Sequence, residues 1–162
     1  MKKFLLATRP SFLTITLLGC FIGISSQLNE IKWAISIFGT LIALIAHAAA
    51  NLLNDYHDFL NGTDEINVGR VYPFTGGSRF IQNKEVTPDQ IRWLSLLLFL
   101  LVICAGIALT ILTTSKLIWI GILGIFIILR VLLLFSLKLI IIISGFFIND
   151  FIICLLRFIF DL

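Results

Sequence analysis

Apolar residues run along this chain in long blocks with no polar face, and short polar punctuation divides the blocks. The first block runs from Ser11 to about Ser26 and ends at Gln27-Leu28-Asn29-Glu30; the second runs from Trp33 to about Leu60. A third extends from about Ile91 to Leu112, with Thr87-Pro88-Asp89 as its start signal, and a fourth begins at Leu117 after the polar turn Thr113-Thr114-Ser115-Lys116. A soluble amphipathic helix would alternate apolar and polar faces at helical period. These blocks stay apolar all round for about the 20 residues that a bilayer core requires. The pattern predicts an all-α, multi-span transmembrane bundle of about four to five helices.

Composition agrees with the pattern. Of the 162 residues 59% are hydrophobic and 13% charged, and the mean hydropathy is +1.09, which is too apolar for a soluble domain of this size. The formal net charge of +3 is modest, and no basic stripe with interleaved aromatics is present, so nucleic acid is excluded as a partner and the lipid bilayer is the expected one. Cys20, Cys104 and Cys154 each lie inside apolar sequence without a CxxC pair, and they read as small hydrophobes. Met1-Lys2-Lys3-Phe4 could open a signal peptide, but no small-residue cleavage site follows, so the first block is expected to remain as an anchor. Sorting the positive charges around the first turns sets Lys2, Lys3, Arg9, Arg70, Arg79, Lys84 and Arg92 on one side and Lys32 and Lys116 on the other. By the positive-inside rule, the N-terminus and the 61–89 loop are cytoplasmic.

The second block changes character at its end. In Asn51-Leu52-Leu53-Asn54-Asp55-Tyr56-His57-Asp58, the residues Asn51, Asn54, Asp55 and Asp58 fall within an arc of roughly 100° on a helix. One face is thus a cluster of amide and carboxylate oxygens. Such oxygens suit a hard divalent cation, and Mg²⁺ commonly bridges one or two carboxylates to substrate phosphate oxygens. A helix end emerging into water would also be polar, but not on one side only, and ionisable groups at the edge of a span mark function. Gly62 is the expected helix stop. His47 lies one turn earlier on the same arc, where it either lines the cavity or makes a helix–helix hydrogen bond.

The 61–89 segment is the long polar loop, and within it Gly76-Gly77-Ser78 is flanked by Arg70 and Arg79. Backbone N–H groups and guanidinium forks of this kind can hold phosphate oxygens, although the strand, helix and lysine of a P-loop are lacking. Arg9-Pro10, taken alone, is an ordinary positive-inside charge followed by proline in a first helical turn.

Taken together, these stretches carry a resemblance. Asn54-Asp55-x-x-Asp58 followed by Gly62-Thr63-Asp64 resembles the first aspartate-rich motif of the UbiA family of intramembrane aromatic prenyltransferases. Arg9-Pro10 before the first apolar block and Arg70-x-x-Pro73-x-Thr75-Gly76-Gly77-Ser78-Arg79 after the motif follow in the family's order. The likeness is strongest to the dihydroxynaphthoate branch of the menaquinone pathway and covers about residues 1–126. It implies the N-terminal half of a UbiA-like fold in a bacterial inner or plasma membrane, with Mg²⁺ held by Asn54, Asp55, Asp58 and Asp64. It further implies Asp55 and Asp58 as catalytic residues, and Arg9, Asn51, Arg70 and Arg79 as substrate-binding residues. The substrates would be a prenyl diphosphate and an aromatic acceptor such as 1,4-dihydroxy-2-naphthoate.

From about residue 127 the texture changes to nearly pure Ile, Leu and Phe, interrupted by Arg130, Lys138 and Arg157, and the resemblance stops. The family continues with a second aspartate-rich motif. Here Asn149-Asp150 has no carboxylate one turn on, Asp161 is too distant, and no proline follows Pro88. The tail 127–162 is therefore expected to be divergent, and the chain to be a truncated member that is inactive alone. The competing expectation is a small ion transporter or channel subunit with Asn51, Asp55 and Asp58 as its cation site.

Overall fold

The computed structural model describes residues 2–26, 31–62 and 78–135. These form five helices: α1 (Lys2–Ala7), α2 (Pro10–Ser25), α3 (Trp33–Leu60), α4 (Pro88–Leu112) and α5 (Leu117–Phe135). The all-α class expected from the sequence is observed. Of the five, α3 with 28 residues and α4 with 25 are long and apolar enough to cross a membrane. At 1.5 Å per residue they reach about 42 and 38 Å, beyond a hydrocarbon core of about 30 Å. The apolar α2 has 16 residues, about 24 Å, and is shorter than that core.

The central element is α3, which packs most extensively against α4 and on its other side against α2. The two contacts use different chemistry. Against α2, small residues let the backbones approach: Thr16, Gly19, Cys20 and Gly23 of α2 and Ser36, Gly39 and Ala43 of α3 are all buried. Small residues of this kind let helix backbones come close enough for van der Waals packing, a mode of association that would also serve helices in a membrane. The pair is antiparallel, since Arg9 meets Asp55 while Thr16, seven residues on, meets His47 through a 2.6 Å contact between Oγ1 and Nδ1. Against α4, the hydroxyl of the fully buried Ser95 donates to the carbonyl of Ala49 at 2.9 Å. Arg92 lies over the Tyr56 ring at 5.9 Å, so α4 is antiparallel to α3 as well.

Helix ends follow local rules. Thr87 caps α4 in a capping box: its hydroxyl accepts from the Gln90 N–H at 3.3 Å, and the Gln90 side chain accepts from the Thr87 N–H at 3.0 Å. Proline at the first position needs no hydrogen-bond partner there, which suits both Pro10 and Pro88. At the far end of α3 the chain turns at Gly62, whose φ of 66° is readily available to glycine.

Outward from these contacts the helices are apolar and uncovered. Only 22% of the most apolar stretch of α3 and 11% of that of α4 is buried against protein. Trp33, Trp93 and Trp119 are all exposed near the starts of α3, α4 and α5, where an aromatic belt would stand. The core gathers at one end of the bundle, where Ala7, Leu52, Ile81, Val86 and Ile91 are buried with Phe4, Tyr56 and Phe80 packed on them. This cluster joins α1, the end of α3, the segment entering α4 and α4 itself. It is the floor on which the polar face of α3 rests.

Candidate functional site at the end of α3

The four polar residues of the α3 arc lie together but do not share one partner. Asp55 and Asp58 are 3% and 8% exposed, unusually low for carboxylates, which are seldom fully buried without partners. Asp55 accepts a salt bridge on Oδ1 from Nη2 of Arg9 and a 3.3 Å hydrogen bond on Oδ2 from the backbone N–H of Ser78. Asn54 donates through Nδ2 to Oδ2 of Asp58 at 2.6 Å, one turn on. Asn51 points to the α1–α2 junction, donating through Nδ2 to the carbonyl of Thr8 at 2.8 Å.

That junction is strained. Arg9 has φ 54° and ψ 67°, left-handed for a residue with a side chain and immediately before proline, which ordinarily holds its predecessor extended. Such a conformation persists where surrounding contacts enforce it. Here the contacts are Asn51 on the Thr8 carbonyl, Asp55 on the guanidinium, and Ala7 in the core. The result aims a largely buried guanidinium at α3. Its Nε is buried and has no hydrogen-bond acceptor among the described residues.

On the third side the chain returns to α4 through one helical turn. Asn83 N–H bonds to the Arg79 carbonyl at 2.9 Å, then Glu85 N–H to Phe80 at 2.9 Å and Lys84 N–H to Ile81 at 2.9 Å, with Lys84 at φ 58°. That pair of bonds is a Schellman closure with lysine in the position that glycine usually takes. Phe80, Ile81 and Val86 anchor the turn in the core, which holds Ser78 and Arg79 beside α3. Lys3 and Glu85 add an ion pair at 3.3 Å between α1 and this turn; being exposed, it contributes little.

Of the residues expected at the site, Arg9, Asn51, Asn54, Asp55 and Asp58 are brought together, and Arg79 adjoins them through Ser78. Asp64 and Arg70 lie outside the described residues. Ser78 belongs to the glycine segment expected to offer backbone N–H groups to phosphate, and here its N–H goes to Asp55 instead; Thr8, through its carbonyl, and Thr16, as the partner of His47, are announced by no motif. His47 makes the helix–helix hydrogen bond that was one of its two expected roles. Among the described residues no group of three His, Cys, Asp or Glu side chains converges as a metal cage. The donor set still fits Mg²⁺ in the open manner that this ion prefers, with few protein ligands and the rest from water or phosphate. Asp58 and the Asn54 amide, which can turn its oxygen inward, are adjacent hard donors, and the buried Arg9 Nε has no acceptor among the described residues. Carboxylate and amide groups of a kind that could hold a cation thus stand beside a guanidinium of a kind that could hold an anion.

Comparison with known proteins finds no matching family model, no matching curated protein and no matching solved structure.

Proposed function

We propose that this chain carries the prenyl-diphosphate site of a UbiA-type membrane prenyltransferase, the kind of enzyme that transfers an isoprenyl group from a prenyl diphosphate to an aromatic acceptor of the dihydroxynaphthoate kind in quinone biosynthesis. One observation carries the reading. Arg9, the Asn51 to Asp58 face and Ser78, taken from three stretches that resemble the family in order, converge on one buried place. Nothing in helix packing alone calls for three separate motif stretches to meet there.

In this reading α3 and α4 cross the bacterial inner membrane with the site at its cytoplasmic side, and α2 and α5 complete the bundle. Arg9 binds the diphosphate through its Nε and Nη edge, as planar guanidinium groups do with phosphate. Asn51 and Asp55 orient that guanidinium, and Arg79, with Arg70 of the same motif, would add further positive charge for the diphosphate. Asp58, Asn54 and Asp55, with Asp64 of the same motif, would hold Mg²⁺, which would supply charge neutralisation for a departing diphosphate. The apolar walls below the site keep water from the allylic cation until the aromatic ring attacks it. Arg9 on Asp55 also weighs against a cation pathway, because a fixed guanidinium repels the ion that a transporter would carry.

The test is binding. Membranes containing the full chain should retain labelled prenyl diphosphate in Mg²⁺ and release it in EDTA. Asp58→Ala should lose the label, while Leu53→Ala, off the polar arc, should keep it. Retention indifferent to EDTA and to Asp58→Ala would remove the reading.

A further inference from the structure

We propose that the α1 side of the bundle is a binding surface for anionic phospholipid headgroups, a small apolar wedge ringed by basic side chains; the inference rests on α3 and α4 crossing a bilayer and not on the diphosphate reading. Helix α1 turns Phe4 and Ala7 into the core that also holds Ile91, which sets α1 at the level of the first turns of α4. Its other side is apolar and open, with Leu5 65% and Leu6 41% exposed. Trp93, 67% exposed, stands two residues beyond Ile91 and marks this level as the boundary between headgroups and acyl chains. Six residues are too few to cross a bilayer. They suffice to seat two leucines at its edge, as interfacial helices do, while the lysines beside them stay among the headgroups.

Charge decides which headgroup fits. Lys2, Lys3, Lys84 and Arg92 are exposed at this end, and among the described residues the exposed carboxylates facing them are Glu85 and Asp89. Lys3 reaches Glu85 at 3.3 Å and occupies it. Asp89 lies in the first turn of α4, where the helix dipole favours a negative charge. Lys2, Lys84 and Arg92 are left in excess, and a headgroup of net negative charge answers them where a zwitterionic one does not. A second copy of the chain seated here would set like charges against each other. Lys84 is an independent sign: its φ of 58° suits glycine and strains a residue with a side chain, so the turn carries a surface lysine at the expense of its own stability.

Quenching of a single tryptophan by brominated lipids tests the surface. Full-length chains in mixed vesicles keep one reporter each: Trp93 alone, Trp33 alone at the opposite end of the bundle, or Leu5→Trp with the three native tryptophans changed to Phe, all checked for folding by circular dichroism. Trp93 and the Leu5→Trp reporter should select brominated phosphatidylglycerol over brominated phosphatidylcholine at least about fivefold, the worth of one basic side chain near an anionic surface. The preference should collapse at about 1 M salt, where screening acts within about 3 Å. Changing Lys2→Gln and Lys84→Gln together should bring it within about twofold of unity, and Glu85→Gln, which releases Lys3, should raise it. Lys84→Gly should lower the lipid preference while making the fold more stable, a pair of opposite signs that a purely structural lysine would not give. A preference near unity at both reporters, or one equally large at Trp33, would overturn the proposal. So would quenching that rises as the chain is diluted into excess lipid, the mark of a second copy on this face. Absence of quenching by either lipid would remove the bilayer reading, and the headgroup surface with it.

Discussion

Replacing Arg9 separates two opposing contributions at one residue. Arg9→Ala removes the partner of Asp55, a carboxylate 3% exposed. Removing one member of a buried pair costs about 3–5 kcal/mol. Ser78 still donates to Asp55 at 3.3 Å, which places the expected loss at about 3 kcal/mol, the low end of that range. Arg9→Gly removes the same partner but also releases the backbone, since φ 54° costs a residue with a side chain about 1–2 kcal/mol that glycine does not lose. The glycine variant should therefore be about 1 kcal/mol more stable than the alanine variant, against the usual order for replacements beside a helix. Adding Asp55→Asn to Arg9→Ala should recover about 2 kcal/mol, because the stranded charge is gone. Equilibrium unfolding in mixed SDS and mild detergent, followed by far-ultraviolet circular dichroism, measures all four proteins. A loss below about 1 kcal/mol for Arg9→Ala, or a glycine variant no more stable than the alanine one, would refute the buried-pair and strained-junction account.

Other positions give independent checks. Thr16→Val deletes the partner of His47 and should cost about 0.6–1.7 kcal/mol in the same unfolding assay, the span measured for polar contacts between membrane helices, while Thr16→Ser should cost less. At Gly62, where φ is 66° and a new methyl group meets nothing within 4 Å, Gly62→Ala should lose about 1 kcal/mol from the backbone alone. Gly106→Ala, equally open but inside α4 at ordinary helical φ, should be neutral or stabilising by up to about 1 kcal/mol, so opposite signs at the two glycines check the Gly62 turn. In a chain with its cysteines replaced, Asn83→Cys, exposed on the turn before α4, should resist an impermeant maleimide added outside intact cells and react after lysis. Labelling from outside would reverse the proposed orientation.

Much of the helical layout was legible from local pattern. Trp33 to Leu60 needed only its apolar length and the Gly62 stop, and the start of α4 was written in Thr87-Pro88-Asp89, although the reciprocal Gln90 cap lay one residue further on. Helix α1 was not legible, because six residues are too few to establish a period and its stability comes from Ala7 and Phe4 in the core. At the site, helical phase correctly put Asn51, Asn54, Asp55 and Asp58 on one arc. It could not divide their work: the turn of Asn51 to Thr8 and of Asp55 to Arg9 spans 43 and 46 residues of chain and depends on how α2 lies on α3. The left-handed Arg9 is hidden for the same reason, since sequence rules favour an extended residue before proline and tertiary contacts overrule them.

The central claim, that three distant stretches form one diphosphate site, is tested most directly by measuring the affinity of the full chain in nanodiscs for a labelled, Mg²⁺-complexed isoprenyl thiolodiphosphate with one substitution per stretch. Arg9→Gln, Asp58→Ala and Arg79→Gln should each weaken binding at least about tenfold, as loss of a charged contact to phosphate or metal requires, while Leu53→Ala stays at the wild-type value. Binding that responds to one stretch alone, or that responds equally to Leu53→Ala, would contradict the account.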